Sequence, residues 1–124
     1  MGTKIYFCHM YISLTGLKPK GFLSFIRFWT LAIPSVSQAK SAKGNLSAEV
    51  KNMHGFQCTV TAWENREVML DFMRSGVHLQ AMKAFPKIAT GRTYGYESDK
   101  IPSWEEAYLL LMEKGKDYLV KPSA

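Results

Sequence analysis

Hydrophobic and polar residues alternate in two adjacent segments of the chain, and this spacing predicts strands. Between residues 46 and 51 every second residue is apolar, which is the pattern of a strand that buries one face. The alternation returns between residues 56 and 63, and the intervening Asn52, His54 and Gly55 are typical of a tight turn. We therefore predict an antiparallel hairpin whose first, more charged strand lies at an edge of the sheet.

Two other segments are also predicted to be strands. Residues 4–14 are rich in aromatic and β-branched types, which favours a central strand covered on both faces. Residues 87–97 are predicted to form a fourth strand, in which Gly91 and Gly95 indicate the close approach of a neighbouring group. The glycines and the proline of residues 15–21 predict a loop after the first strand.

The segment after this loop is predicted to be helical. Residues 22–33 carry a polar residue at every third position, which indicates a helix packed on the sheet. Pro34 would remove a backbone hydrogen bond and clash with the preceding turn, at a cost of about 3 kcal/mol in a helix interior. We therefore predict a kink or a restart there, followed by a short helix over residues 35–43 that Gly44 closes.

The strand that ends at Trp63 leads directly into another helix, and the rest of the chain can be placed around this corner. Asn65 can cap the helix, because its side chain can accept a hydrogen bond from the first turn. Apolar residues then recur at helical spacing. After Ser75 a second short helix is predicted, which ends at Pro86.

The predicted order of elements is that of a split βαβ domain with one added helix. Ser103 and Glu106 form a capping box that begins this last helix, which runs to about residue 113. We therefore predict an α+β, ferredoxin-like fold, with a four-stranded antiparallel sheet and helices on one face. A single domain is expected over residues 1–124, with a core at 4–115 and a tail at 116–124. Because three strands look apolar on both faces, we expect a second copy to cover the other face in a homodimer.

Charge is unevenly distributed along the chain, whose net charge is +6. Up to residue 62 there are seven Lys and Arg and one acid, which would suit an anionic partner, although a solvated basic face is the commoner case. No zinc-finger spacing, helix-turn-helix pattern or aromatic RNA-binding motif accompanies these bases. We therefore expect no nucleic-acid partner.

No segment has the pattern of a secretory signal or of a membrane span. The longest apolar run, residues 21–33, is interrupted by polar residues and is shorter than a spanning helix, which needs about 20 residues. We expect a cytoplasmic protein without an integral membrane segment. A weaker alternative is peripheral docking of residues 22–33 on a membrane, together with Lys18, Lys20 and Arg27.

The histidines are the first candidates for catalysis, but none belongs to a motif. His9 lies on an apolar strand, where it can either orient a ligand or be a hydrogen-bonded core residue. His78 shares a helix face with Arg74 and Met82 and is a candidate catalytic residue, although a structural role is commoner for such a histidine. No histidine pair or carboxylate cluster has the spacing of a metal site, so we predict no metal.

Three further residues are candidates for ligand binding. Trp63 can stack on a ligand or belong to the core. Arg92 and Tyr94 can line the interior or bind an anion. The sequence does not give the register of the sheet, so it does not determine on which face their side chains lie. Cys8 and Cys58 lie in apolar segments and are expected to be buried, reduced thiols.

Several segments around the corner resemble a known superfamily. They are Val-Thr-Ala-Trp at 60–63, Glu-Val-Met-Leu-Asp-Phe at 67–72, and Ser-Gly-Val-His at 75–78 before Ala81 and Met82. The resemblance is to the dimeric α+β barrel proteins of the antibiotic-biosynthesis monooxygenase type, and it covers residues 4–115. Together with Thr-Gly-Arg-Thr-Tyr-Gly-Tyr at 90–96, the chain is most similar to small bacterial spheroidene-monooxygenase-like proteins.

The resemblance implies a homodimer with a cavity between the sheet and the helices more directly than it implies the activity of an oxidoreductase, and it does not identify a cofactor. Haem-degrading members use a Trp and a His at positions that correspond to Phe72 and Met82 here, which disfavours haem and leaves the cofactor unknown. The implied function is that of a monooxygenase-like protein that binds an apolar or aromatic small molecule. The alternative is a dimeric ligand-binding or regulatory module without catalytic activity, because no catalytic dyad is evident in the sequence.

Overall fold

A computed structural model describes residues 9–117, without the side chains of positions 77, 78, 81, 82, 85 and 86. The elements of this part are β1 (Met10–Pro19), α1 (Phe22–Ser41), β2 (Asn45–Met53), β3 (Phe56–Trp63), α2 (Arg66–Met73), α3 (Gly76–Ile88), β4 (Ala89–Ser98), α4 (Trp104–Lys114) and β5 (Lys116–Asp117). The first residues of the predicted first strand, Cys8 among them, lie outside the described part. None of the described helices is long and apolar enough to cross a membrane.

The strands form one antiparallel sheet in the order β2-β3-β1-β4-β5. The predicted hairpin is present between β2 and β3, and β2 lies at the edge as predicted. Its two-residue loop consists of His54 and Gly55, whose φ angles of 54° and 91° are those of a tight hairpin turn. The short strand β5 lies in the segment for which the sequence predicts a tail.

The register assigns the strand residues to the two faces of the sheet. Tyr11 of β1 lies opposite Trp63 of β3, and Ser13 lies opposite Thr61 of β3 and Gly95 of β4. Residues that lie directly opposite one another in a sheet share a face. Trp63 packs with residues of α1 and α2, so this is the face that the helices α1, α2 and α3 cover.

Helix α4 packs on the other face of the sheet. Ile12 and Leu14 of β1 form a buried cluster with Ala107 and Leu111 of α4. From the sequence we expect a second copy of the chain to cover this face. Instead α4 crosses it within the same chain, because the inner side of α4 carries the apolar residues that the cluster needs.

The prediction of a loop at residues 15–21 is wrong, because β1 continues to Pro19. A side chain at Gly16 would come within 3.3 Å of Leu111, so this glycine makes room for α4 and does not form a turn. Pro19 is the last residue of the strand, where its missing N–H is tolerated. The turn itself lies at Gly21, whose φ is 88°.

The predicted restart at Pro34 is also wrong, because α1 is a single helix that contains this proline. Phe28 and Ala32 before it and Ser35 and Ala39 after it are all buried. Packing on both sides of Pro34 therefore offsets a local cost of about 3 kcal/mol. Helix α3 likewise ends two residues beyond its predicted end.

The corner after β3 has the predicted cap. The side chain of Asn65 accepts a hydrogen bond from the Val68 N–H at 3.0 Å. The side chain of Val68 lies against Gly44, where an added Cβ would clash with it, and the Glu64 N–H donates to the Gly44 carbonyl at 2.8 Å. These contacts fix the start of α2 to the turn between α1 and β2.

Candidate ligand-binding cavity

A cavity of about 470 Å³ lies between the sheet and the helices α1 and α2. Helix α1 contributes Ala32, Ser35 and Ala39 to its lining, and the sheet contributes Ser13 and Thr15. Small residues on the helix thus face small residues on the sheet. Protein interiors are normally close-packed, so this arrangement of small residues is the reason for the empty space.

Two separate apolar clusters border the cavity. Leu17, Phe28 and Ile88 belong to a cluster between β1, α1 and α3. Trp63 and Phe72 belong to a second cluster, which joins β3 to α2. Members of both clusters line the cavity, so it occupies the gap between two parts of the core.

Hydroxyl-bearing residues form the sheet side of the cavity, and we call them the hydroxyl floor: Ser13, Thr15, Thr59, Thr61 and Thr93. Two of the hydroxyls are engaged, because Thr61 donates to the Ser13 carbonyl at 3.4 Å and Thr93 donates to the Leu14 carbonyl at 3.1 Å. Within residues 9–117, the side chains of Ser13, Thr15 and Thr59 make no hydrogen bond to the protein. Partly buried hydroxyls usually have a partner, so these three are available to the polar atoms of a ligand.

Aromatic and thioether side chains form the opposite wall, which we call the apolar wall. Met69, Phe72 and Met73 of α2 line the cavity, and Phe72 stacks on Trp63 with ring centroids 5.2 Å apart. The indole N–H of the fully buried Trp63 donates to the Thr61 hydroxyl at 2.8 Å, which holds the ring in place. A polarizable wall of this kind suits a flat, apolar ligand.

Tyr11 adds a phenol to the lining of the cavity. Its ring lies over Gly95 of the neighbouring strand, where an added side chain would overlap the phenol, so the close approach predicted at Gly95 is confirmed. Arg66 and Lys116 also contribute to the lining. Among the described side chains, the lining therefore contains hydroxyls, apolar groups and two cations, but no carboxylate, imidazole or thiol.

Arg92, one of the predicted ligand-binding residues, points to the other face of the sheet. Its guanidinium donates to the carbonyls of Leu111 at 2.8 Å, Met112 at 3.3 Å and Gly115 at 2.8 Å. The last carbonyls of a helix lack partners within the helix, and the planar fork of an arginine can reach several of them at once. Arg92 thus caps α4 and does not line the cavity.

Tyr94 also has its ring on the α4 side. The register places it opposite Leu14, and its ring stacks on that of Tyr96 with centroids 5.5 Å apart. Tyr94 is nevertheless among the residues that border the cavity. We attribute that contribution to its main chain, because both tyrosines pack against the buried cluster under α4.

The two histidines whose side chains the structure describes, His9 and His54, do not line the cavity. His9 is exposed immediately before β1 and does not line the cavity, so it occupies neither the buried ligand site nor the core position expected from the sequence. His54 lies in the hairpin turn, where its ring centroid is 4.6 Å from that of Tyr108. His78 is the third residue of α3, and its side chain lies outside the described ones.

Within the part of the chain that the structure describes, the groups with shifted pKa values lie on the α4 side of the sheet. Cys58 is free and buried as predicted, and burial raises the pKa of its thiol to about 11. Burial, and then the Glu106 carboxylate and Tyr94, raise the pKa of Tyr96. Hydrogen bonds from Ser103 lower the pKa of Glu106. Packing under α4 and capping of α4 explain these shifts, so they do not mark a second site.

The hydroxyl floor and Tyr11 are among the cavity residues that the sequence interpretation missed. Their signal is present, because hydroxyl residues recur at every second position in residues 13–15 and 59–61. That spacing puts them on one face of each strand. Only the register shows that the two faces are the same one.

No protein-family model and no curated protein sequence matches the chain. Its fold is similar to that of SnoaB, a cofactor-independent oxygenase from Streptomyces nogalater, with a TM-score of 0.62 and 7% identity over 73% of this chain and 94% of that one. A candidate antibiotic biosynthesis monooxygenase from Deinococcus radiodurans aligns with a TM-score of 0.64 and 16% identity, over 75% of this chain and 96% of that one. A candidate antibiotic biosynthesis monooxygenase from Nitrosomonas europaea aligns with a TM-score of 0.63 and 12% identity, over 73% of this chain and 89% of that one.

These similarities establish the fold of the chain. The α+β, ferredoxin-like architecture predicted from the sequence is confirmed, and so is the resemblance to the antibiotic-biosynthesis monooxygenase type of dimeric α+β barrel proteins. The nearer similarity to spheroidene-monooxygenase-like proteins and the homodimer stay predictions. TM-scores of 0.62 to 0.64 show that the fold is shared, whereas identities of 7% to 16% do not extend the similarity to an activity.

Proposed function

We propose that the chain is a monooxygenase-like protein that holds an apolar or aromatic small molecule in the cavity between the sheet and the helices. The observation that carries this proposal is the pairing of the hydroxyl floor with the apolar wall across a cavity of about 470 Å³. This volume and this mixture of surfaces are typical of small-molecule sites. Met69 and Phe72 would contact the face of the ligand, and Thr15 and Thr59 would bind its oxygen atoms.

The two sides of the cavity would orient a planar ligand. Oxygen atoms of the ligand would face the floor, because among the described residues it offers three hydroxyls without a protein partner, whereas the helix side offers only that of Ser35. Tyr11 lies two residues from Ser13 on the same face of β1, so its phenol would be next to the bound oxygen atoms. A phenol in that place can donate or accept a proton while the ligand is oxidised.

The ligand itself can supply the electrons for such an oxidation. When dioxygen converts a methylene to a carbonyl, two carbon–hydrogen bonds break, one carbon–oxygen double bond forms, and the second oxygen atom leaves as water. Atoms and electrons balance in this reaction when the ligand is electron-rich enough to react with dioxygen. SnoaB, whose fold is similar, is cofactor-independent, which supports this form of the proposal.

His78 is proposed as the catalytic residue on α3, on the basis of the sequence. Replacement by glutamine is expected to slow dioxygen consumption in the presence of a bound substrate at least about a hundredfold, which is the lower end of the typical contribution of a general base. The matched control is His54→Asn, since asparagine tolerates the positive φ of the hairpin turn. Equal rates for His78→Gln and the wild type would remove His78 from the proposed site.

Ligand binding can be measured by titration calorimetry of the full chain with quinols, polyenes and haemin. The double change Thr15→Val and Thr59→Val preserves shape but removes two hydroxyls of the floor. It is expected to weaken binding of an oxygen-bearing ligand about tenfold, as for the loss of one or two hydrogen bonds. Thr90→Val is the control, because Thr90 is exposed on β4 and does not line the cavity. Absence of binding by all three classes, or equal weakening by the control, would reject the proposal.

A ligand-binding or regulatory module without catalysis is the second candidate. The observation in its favour is that the described lining of the cavity has no carboxylate, imidazole or thiol to act as a strong base. Transfer of an atom from isotope-labelled dioxygen into the ligand would decide for the monooxygenase. Binding without dioxygen consumption would decide for the module.

A further inference from the structure

Among the described side chains, helix α1 exposes more large apolar residues than any other helix. Among the described side chains there are nine exposed large hydrophobic residues, and five of them are on this helix: Phe22, Leu23, Phe25, Ile26 and Ile33. We call these five residues the α1 patch. Phe22 and Leu23 are 75% and 80% exposed. Exposed apolar surface concentrated in this way marks an interaction site in many proteins.

Three residues of the α1 patch, Phe22, Ile26 and Ile33, lie on a different side of the helix from the one that packs on the sheet. Phe28 and Ala32 are buried on the inner side. Phe22, Ile26 and Ile33 are spaced by four and seven residues, which places them together on another side. One apolar side is enough for a helix that covers a sheet, so the core does not account for the second one.

Positive charge lies on the helix that carries the α1 patch and on the neighbouring helix α3. Helices α1 and α3 pack against each other, and neither contains an Asp or a Glu. Their charged residues are all basic and exposed: Arg27, Lys40, Lys83 and Lys87. The Lys20 N–H donates to the Ile88 carbonyl at 2.7 Å, which brings the start of α1 beside the end of α3. Basic side chains therefore lie close to the most exposed apolar residues.

We propose that the α1 patch docks on the surface of an anionic lipid bilayer. The patch would enter the boundary between headgroups and acyl chains, and the basic residues of α1 and α3 would contact the anionic headgroups. An anionic bilayer would accept the apolar side chains of the patch and also neutralise the positive charge of the basic residues. A second copy of the chain is a poorer occupant, because a two-fold contact through the patch would bring identical basic residues together. The inference goes beyond the proposed function and does not depend on it.

Flotation with lipid vesicles tests this docking with the full chain. We expect the chain to float at low salt with vesicles that contain phosphatidylserine and not with vesicles of phosphatidylcholine alone, and high salt should release it. Leu23→Ser is expected to lower the partition coefficient about tenfold, as for one buried leucine. Leu46→Ser is the matched control, because Leu46 is 50% exposed on β2. Lys87→Glu should also weaken flotation, whereas Lys100→Glu before α4 should not.

Three results would overturn the inference. The first is no flotation with anionic vesicles at low salt, and the second is equal flotation with neutral ones. The third is equal partitioning of Leu23→Ser and Leu46→Ser, which would show that the patch does not enter the bilayer. Sedimentation of the same variants identifies the competing occupant. If Leu23→Ser breaks up an oligomer and leaves vesicle binding unchanged, the patch is a contact between copies of the chain and the lipid proposal is rejected.

Discussion

Tyr11 and Gly95 show how the absence of a side chain in one strand positions a ring of the next. Tyr11 lies on the face of β1 that lines the cavity, and its phenol extends over Gly95 of β4. A glycine in a strand interior weakens the strand by itself, so its use here is explained by the ring above it. The sequence predicts a close approach at Gly95, but it does not predict which side chain approaches.

Gly95→Ala is expected to displace Tyr11 and to lower the free energy of unfolding by about 1–3 kcal/mol, because the added methyl group overlaps the phenol. Urea denaturation would measure the loss. The second change Tyr11→Leu in the same chain should restore most of it, since the overlap is then relieved. Strict additivity of the two changes would contradict the contact.

The buried thiol of Cys58 makes stability depend on alkaline pH. Its pKa is about 11 in the folded chain, compared with an ordinary value of 9.0. Between these values the unfolded chain loses the proton and the folded chain keeps it. The stability that comes from the neutral thiol is therefore complete below pH 9.0 and is lost as the pH rises through about 11.

Between pH 9.0 and about 11, the free energy of unfolding of the wild type is expected to fall by about 1.4 kcal/mol more per pH unit than that of Cys58→Ala. Tyrosines and lysines titrate in both proteins, so the difference between the two curves isolates the thiol. Urea midpoints at several pH values would measure it. Parallel curves would show that burial of Cys58 does not disfavour the thiolate.

At the scale of single elements, α4 is held at both ends by side chains. At its start, the Ser103 hydroxyl accepts from the Glu106 N–H at 3.1 Å, and the Glu106 carboxylate accepts from the Ser103 N–H at 2.9 Å. At its end, Arg92 of β4 donates to three main-chain carbonyls. The first cap is predictable because its residues are three positions apart. The second cap joins residues 19 to 23 positions apart and needs the folded chain.

Arg92→Met is expected to lower the free energy of unfolding by about 2 kcal/mol, because carbonyls at the end of α4 lose their donors. Arg92→Lys should recover only part of this loss, since an ammonium cannot reproduce the planar fork. Urea denaturation would measure both. Arg74→Met, exposed at the end of α2, should change the value by less than about 0.5 kcal/mol. If Arg92→Met also changed the free energy of unfolding by less than about 0.5 kcal/mol, the proposed stabilisation of α4 by Arg92 would be contradicted.

For the whole molecule, the position of α4 changes how a homodimer can form. The sequence favours contact between two sheets, but α4 already covers the second face of the sheet. A dimer that uses this side would therefore involve the outer side of α4, where Leu109 is 54% exposed. The homodimer is still a prediction, but the expected contact is now between α4 helices and not between two sheets.

Leu109→Glu is expected to lower the fraction of dimer at least about tenfold in sedimentation equilibrium, because it would bury an unpaired charge in the contact. Leu46→Glu on β2 is the control and should leave the mass unchanged. A dimer that survives the change in Leu109 would have to form elsewhere. A monomeric wild type would reject the homodimer itself.

By itself, the sequence determined the β2–β3 hairpin, the Asn65 cap of α2 and the capping box of α4. Each of these depends on the alternation of apolar and polar residues or on hydrogen bonds between residues a few positions apart, and such signals are local. Only the tertiary structure decided that Gly16 lies inside β1, that α1 continues through Pro34, and that Arg92 and the hydroxyl floor belong to opposite faces. These outcomes depend on register and on packing between distant segments, whose combined free energy outweighs the local preferences of single residues.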